Sequence, residues 1–161
     1  MNESRALRTL RIRAAREDDI ASLVGLEKIC FKKYYEEHRF GEAEFAYYMR
    51  SSRAIICVAT LESVVTGYVA GLVRRSRRRL LANLDSIAVL PGARGQGICG
   101  RLLRRFIREA KEEGCARVVI TVAVDNKEGM RYFMKRGFCR IRRLRSYYGR
   151  GFDGVVMVCE L

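Results

Sequence analysis

Residues 84–103 read L-D-S-I-A-V-L-P-G-A-R-G-Q-G-I-C-G-R-L-L, and the order of apolar run, glycine-bearing turn and amphipathic stretch within them decides the fold. Leu84 to Val89 is a strand, Pro91 to Gly95 a turn, and Leu102, Leu103, Phe106, Ile107 and Ala110 recur on one face of a helix that Gly114 ends. Val118 to Val124 follows as an almost unbroken apolar run, the pattern of a strand covered on both faces. The unit is therefore strand, helix, strand, with a right-handed crossover. Working outward, Leu10 to Ala14 is a short first strand, and the acidic Glu17, Asp18 and Asp19 suit the positive end of a helix dipole. Ile20, Leu23, Val24, Leu26 and Ile29 recur at helical spacing as far as Cys30, and Phe40 to Met49 predicts a second short helix after an aromatic loop. Ala54 to Thr60 and Val64 to Val73 are β-branched runs joined by Leu61, Glu62 and Ser63, the pattern of an antiparallel hairpin, and Leu80 to Val89 is the strand after it. Asn126 to Arg136 is a helix closed by Gly137, and Phe138 to Leu144 and Val155 to Cys159 are two final strands. The expected fold is α/β, a mixed and largely antiparallel sheet that holds one parallel βαβ unit.

The 161 residues suit one domain over residues 1–161, and 49% hydrophobic content with a single Pro excludes disordered and linker-dominated readings. No run approaches the roughly 18 apolar residues of a membrane span, and Met1 to Arg13 shows no leader pattern. A cytoplasmic protein with no membrane partner is expected. The six cysteines lie far apart without a C-x-x-C pair and His38 is the only histidine, so no metal is expected, and cysteine pairing is unreadable from spacing. Three Asn and one Gln against 32 Lys plus Arg is a thermophile-like balance. The net charge of +14 is concentrated in Arg74, Arg75, Arg77, Arg78 and Arg79 and again in Arg140, Arg142, Arg143 and Arg145. Such fields attract phosphates, acidic peptides and nucleic acid, and the competing reading is solvated arginine on a hairpin and a strand edge.

Arg94 to Gly100 reads R-G-Q-G-I-C-G directly before the helix. Its glycines let backbone N–H groups converge on an anion, and the helix N-terminus adds donors and a favourable dipole. Gly95, Gly97 and Gly100 also spell a literal G-x-G-x-x-G, but a dinucleotide fold sets that motif in a tight turn off its first strand with several βα units to follow. Here Pro91 to Arg94 intervene and one βα unit remains, Asp125 lies past the spacing of a ribose-binding acid, and no G-K-[ST] ending makes a nucleoside triphosphatase loop.

The stretch I-A-V-L-P-G-A-R-G-Q-G-I-C-G-R-L-L, with V-T-G-Y-V-A-G before it and D-N and R-G-F after it, resembles the GNAT superfamily of acetyl-CoA-dependent N-acetyltransferases over nearly the whole chain. The superfamily signature Q/R-x-x-G-x-G/A is met by Arg94 and Gly97, with Cys99 where Gly or Ala is usual. Y-Y-G-R-G-F-D-G-V-V-M from Tyr147, and C-F at Cys30 and Phe31, are similar to the RimI-type and archaeal N-terminal acetyltransferase branch. The resemblance implies a sheet splayed to hold acetyl-CoA: pyrophosphate on Arg94, Gly95, Gln96, Gly97, Ile98, Cys99 and Gly100, and the pantetheine arm along Ile87, Ala88 and Val89. Asn126 and Phe133 border the arm, and the Val89 N–H polarises the thioester carbonyl. For Asn126, a helix N-cap is an equal alternative.

The reaction implied is direct attack of a neutral amine on the thioester. The family's glutamate and tyrosine are Thr121 and Phe133 here, and the base position of archaeal relatives is Asn83. Asp85, on the strand face of Asn83 by the period-two rule, is a candidate base through water, or else a charge paired with arginine; Tyr132 is a candidate acid, or else packing. An α-amine of pKa about 7.7–8.0 is neutral at pH 7 two to three orders of magnitude more often than lysine near 10.4, so loss of both groups suits α-amines better than lysine. Phe31, Tyr34, Tyr35, Tyr147 and Tyr148 match aromatic positions at the peptide entrance, with loop anchoring as the alternative, and Glu36 and Glu37 are candidates to pair with a substrate ammonium, or else solvated charges. The expected partner is a protein or peptide acceptor, ribosomal proteins among the candidates. The competing function is a coenzyme A-binding or nucleic-acid-associated module without catalysis, and lysine or a small amine is a further acceptor within the enzyme class.

Overall fold

A computed structural model describes residues 9–161, apart from the side chains of Lys33 and Tyr34. Residues 1–8, on which part of the expectation for Met1 to Arg13 falls, and the Tyr34 side chain expected at the peptide entrance lie outside the described residues. Seven strands form one sheet in the order β1-β2-β3-β4-β5-β7-β6. These are β1 (Leu10–Ala14), β2 (Ala54–Leu61), β3 (Val64–Ser76), β4 (Arg79–Val89), β5 (Cys115–Ala123), β6 (Cys139–Leu144) and β7 (Gly154–Glu160). Every neighbouring pair is antiparallel except β4 with β5, the ends of the βαβ unit. The helices are α1 (Ile20–Cys30), α2 (Glu42–Arg50), α3 (Ile98–Glu112) and α4 (Lys127–Met134). No helix among the described residues is long and apolar enough to cross a membrane.

Helices cover both faces, which is why β3 is apolar almost throughout its middle. On one face α3 presses Leu102, Leu103, Phe106 and Ala110, all at most 2% exposed, onto Val69, Ala82 and Leu84. On the other, Leu23 and Leu26 of α1 and Phe45 and Tyr48 of α2 pack over Val58, Tyr68 and Ala88. Each buried Leu or Phe of this kind contributes about 1.5–3 kcal/mol. Gly71 admits the Phe106 ring: a Cβ there would lie 2.5 Å from the ring and 2.1 Å from the Asn83 carbonyl oxygen.

β4 and β5 pair only from Leu80 to Asn83 on β4, with Cys115 to Val119 on β5. Two residues further on, β4 carries a bulge against β3: Ala70 faces Ser86 and Gly71 faces Leu84, so Asp85 is the extra residue. A bulge bends its strand and sharpens the twist, and here the bend carries the rest of β4 away from β5. It also exchanges the faces of β4. Before it Ala82 and Leu84 point to the α3 core; after it Val89 does, while Ala88 joins the α1–α2 core.

Candidate active site

The gap left by the departing strands is a cleft of about 790 Å³. Its floor is backbone. The Leu90 N–H donates to Thr66 O at 2.8 Å, with Val89 opposite Gly67 and Ile87 opposite Val69. Successive residues of a strand direct their polar groups to opposite sides, so Ile87 and Val89 turn theirs away from β3, toward the side that β5 has left. The Val89 carbonyl accepts Arg94 Nε at 3.1 Å and the Cys30 thiol at 3.5 Å, and the Val89 N–H faces the cleft. Ala88 corrects the sequence expectation. Its backbone groups face Tyr68 on β3, so of the three positions Ile87 and Val89 alone offer main-chain partners along this edge.

One end of the cleft is the glycine loop. Gly95 and Gly97 have φ of +78° and +75°, a region that side chains beyond glycine enter at a cost. Gly97 caps α3 without any side-chain acceptor, and the first amide to find a helical partner is Arg101, at 3.1 Å from Gly97 O. Among the described residues the N–H groups of Ile98, Cys99 and Gly100 have no protein acceptor, so helix-end donors and dipole point together at an anion site. Arg104 and Arg136 line the same wall. The Gln96 side chain is exposed and lies outside the lining, so any part Gln96 takes in the anion site falls to its main-chain amide.

Tyr132 stands at this end too, against the first turn of α3: its hydroxyl is 3.8 Å from a Cβ placed at Gly100, and its ring carries the Arg136 guanidinium 3.5 Å above the centroid. Among the described residues that hydroxyl is buried without a hydrogen-bond partner, and burial beside the Cys99 thiol raises its pKa above the ordinary phenol range. Phe133 is buried edge-to-face between Tyr132 and Phe138, with ring centroids 5.4 Å from each.

The other end is aromatic. The Tyr35 hydroxyl accepts the Ala123 N–H at 3.1 Å and Asn126 Nδ2 at 3.0 Å, and the Tyr148 hydroxyl donates to Thr121 O at 2.7 Å. Tyr35 and Tyr148 meet edge-to-face at 5.0 Å, with Phe31 at 5.6 Å from Tyr35 and His38 at 5.4 Å from Tyr148. These rings tie the end of β5 to the segment after α1. Tyr147 corrects the sequence expectation: it is 49% exposed and outside the cleft lining. Asn126 is the N-cap of α4, its Oδ1 accepting from Gly129 N at 3.0 Å, so both halves of its amide are engaged within the protein.

Two carboxyl groups beneath and beside the cleft organise its chemistry. Asp85, the bulge residue, is open to water in the cleft wall, and its Oδ2 accepts the Tyr48 hydroxyl at 2.5 Å. Protein crowding around the carboxyl raises its pKa, against the Tyr48 hydrogen bond and the charge of Arg74. Glu27 of α1 is 2% exposed; its carboxylate accepts the Phe40 N–H at 2.9 Å and the Ser86 hydroxyl at 2.8 Å, and Ser86 meets Tyr68 at 2.6 Å. Burial pushes Glu27 up to about 7. Glu27, Tyr48 and His38 were missed from sequence. The signal for Glu27 was present, because it shares a helix face with Leu23, Leu26 and Cys30, and a charge on a buried stripe demands partners.

A split sheet with free main-chain groups on one lip and an uncapped helix end at its head defines a domain that holds an extended, phosphate-bearing cosubstrate, the architecture of a thioester-dependent acyltransferase. The chain belongs to the Acetyltransferase (GNAT) family, whose sequence profile matches residues 20–138. An N-alpha-acetyltransferase from Sulfurisphaera tokodaii is 26% identical over 99% of this chain and 98% of its own length. N-alpha-acetyltransferase 30 of Schizosaccharomyces pombe is 36% identical over 42% of this chain, a match that spans 45% of that protein. The crystal structure of Arabidopsis thaliana NAA60 in complex with acetyl-CoA superposes with a TM-score of 0.83 at 18% identity, covering 95% of this chain and 99% of the other, a likeness of fold.

Proposed function

We propose that this protein transfers the acetyl group of acetyl-CoA to the α-amino group of protein or peptide N-termini in the cytoplasm, ribosomal proteins among them. The observation that carries this reading is the joint orientation of the cleft-facing Val89 N–H and the unpartnered amides of Ile98, Cys99 and Gly100. The fit is chemical. A diphosphate suits the anion site, with Arg94, Gly95 and Gly97 shaping the loop, and an amide-bearing arm suits the edge at Ile87 and Val89. The Tyr132 hydroxyl, beside the Cys99 thiol and next to Phe133, supplies a donor that meets no hydrogen-bond geometry among the described residues. Acetyl-CoA bound there supplies the activated acyl group.

The residues divide the work. Val89 N–H stabilises the charge that develops on the thioester oxygen as the amine attacks. Asp85, held by Tyr48, takes the proton of the incoming ammonium through water, and its raised pKa brings it nearer to that of an α-amine. Tyr132 serves cofactor binding here rather than acid catalysis, since it stands at the glycine loop. A thiolate leaving group, from a thiol of pKa about 8.5, departs with little help. Phe31, Tyr35 and Tyr148 form the wall past which a peptide N-terminus enters; Asn126 acts by holding Tyr35 and capping α4.

The test is turnover of acetyl-CoA with N-terminal peptides, followed by mass spectrometry of the acetylated residue. Acetylation at the α-amine in preference to an internal lysine is the expected result. Tight acetyl-CoA binding without turnover on any amine would overturn the enzymatic reading and leave a binding module.

A further inference from the structure

At the end of the sheet remote from the cleft, the β3–β4 turn and the start of β5 enclose a second groove of about 650 Å³, lined by Arg77, Arg78, Arg79 and Arg117. Arg74 to Arg79 are all exposed, and Arg77 sits in the left-handed region of the turn with φ of +54°. Arg117 is held by Glu160 at 3.2 Å, and Glu112 is taken by Arg108 at 3.9 Å. Among the described residues Arg75, Arg77, Arg78 and Arg79 enter no ion pair, nor do Arg140 and Arg142 on the exposed edge strand β6. From β4 the sheet runs through β5 and β7 to β6, three steps of about 4.8 Å, and Arg140 and Arg142 stand level with Ile120 and Thr121 of β5, about 10–13 Å further along the strands than Arg117.

The residue types select the partner. All nine cations in the two blocks are Arg, although the chain also holds six Lys. Solubility alone is served by either residue, whereas the planar guanidinium fork matches phosphate oxygens two at a time. The turn R-R-S-R-R-R has no aromatic ring on which a base would stack and no apolar side chain to enter a bilayer. We infer that the β3–β4 turn, with Arg117 and the edge strand β6, is a docking surface for the phosphate backbone of a double-helical nucleic acid, gripped without reading its bases. The β3–β4 turn stands at the other end of the sheet from the acyl-transfer cleft, and duplex binding is read without turnover, so either reading can fail alone.

The experiment is fluorescence anisotropy of a labelled RNA duplex, and of a DNA duplex of the same sequence, titrated with the full chain over a series of salt concentrations. Both duplexes bind, with log K falling linearly against log salt. At about 0.9 in slope per neutralised phosphate, R77A/R78A/R79A lowers the slope by about 2–3 and R140A/R142A by about 2. R77K/R78K/R79K retains most of the slope and binds more weakly, because an ammonium makes no bidentate contact. Unchanged melting temperatures and acetyl-CoA affinity show that these variants fold. Binding of neither duplex overturns the inference, as does equal binding of poly-glutamate, a slope the alanine variants leave unchanged, or displacement of the duplex by saturating acetyl-CoA.

Discussion

Replacing Glu27 with glutamine removes a buried charge and keeps its shape, so it isolates what ionisation at this position does to the fold. The carboxylate lies 2% exposed beneath the cleft, and burial raises its pKa to about 7 from 4.5 for the solvated group. The folded chain therefore binds this proton more tightly than the unfolded chain. Stability is fully present below the unfolded value, declines as pH rises from about 4.5 to about 7, and levels off above that. At about 1.4 kcal/mol per pKa unit the decline is about 3 kcal/mol. In Glu27→Gln the amide oxygen accepts the Phe40 N–H, the amide nitrogen donates to Ser86 Oγ, and Ser86 turns its own hydrogen to Tyr68. The network reverses direction without losing a bond. Urea unfolding followed by circular dichroism from about pH 5 to about pH 8 reads the difference: the variant gains on the wild type as pH rises, by up to about 3 kcal/mol. Glu27→Ala instead orphans the Phe40 amide and the Ser86 hydroxyl and lies about 2–4 kcal/mol below Glu27→Gln at every pH. A stability difference between the wild type and Glu27→Gln that stays flat with pH would refute the reasoning, because the carboxyl would then titrate as a solvated group.

Asp85→Asn lowers kcat about a hundredfold, the low end for a general base because the proton passes through water, and abolishes the acidic limb of the pH profile in steady-state assays. Tyr48→Phe keeps activity but moves that limb to higher pH, since the lost hydrogen bond had favoured the carboxylate. Gly97→Ala places a side chain at φ +75° in open space, so it costs about 1–2 kcal/mol of backbone strain without a clash, read as a lower melting temperature and weaker acetyl-CoA binding by calorimetry. Tyr132→Phe removes a buried hydroxyl that has no hydrogen-bond partner among the described residues, so the free protein melts no lower than the wild type while acetyl-CoA affinity falls. A loss of stability without a loss of affinity contradicts the role given to Tyr132.

The strands and helices were legible because their periodicity is strong: β1 matches the expected Leu10–Ala14, and α1 ends at Cys30, near where the apolar recurrence runs out. α2 starts two residues later than Phe40, because the Phe40 amide is held by Glu27 and Gly41 serves as the cap. The glycine loop was legible for the same reason as the helices, since glycine before an amphipathic run has few other uses. What periodicity conceals is register across strands. Nothing in L-A-N-L-D-S-I-A-V announces that Asp85 is an extra residue, so counting by twos assigns every later side chain of β4 to the wrong face. Partners distant in sequence, such as Tyr48 with Asp85 and Tyr35 with Ala123, were equally invisible.

That one inserted residue links the fold to the chemistry. A regular β4 would keep its ladder with β5, its edge amides would be spent on a neighbouring strand, and no cleft would form. With Asp85 bulged, the ladder ends at Asn83, and the groups of Ile87 and Val89 are released toward the gap. The same bulge sets the Asp85 carboxyl within reach of Tyr48 and brings the next residue, Ser86, onto Glu27. The absence of the family's usual base at Thr121 is thus less damaging than it looks from sequence, because the strand defect that opens the site also presents a carboxylate in its wall.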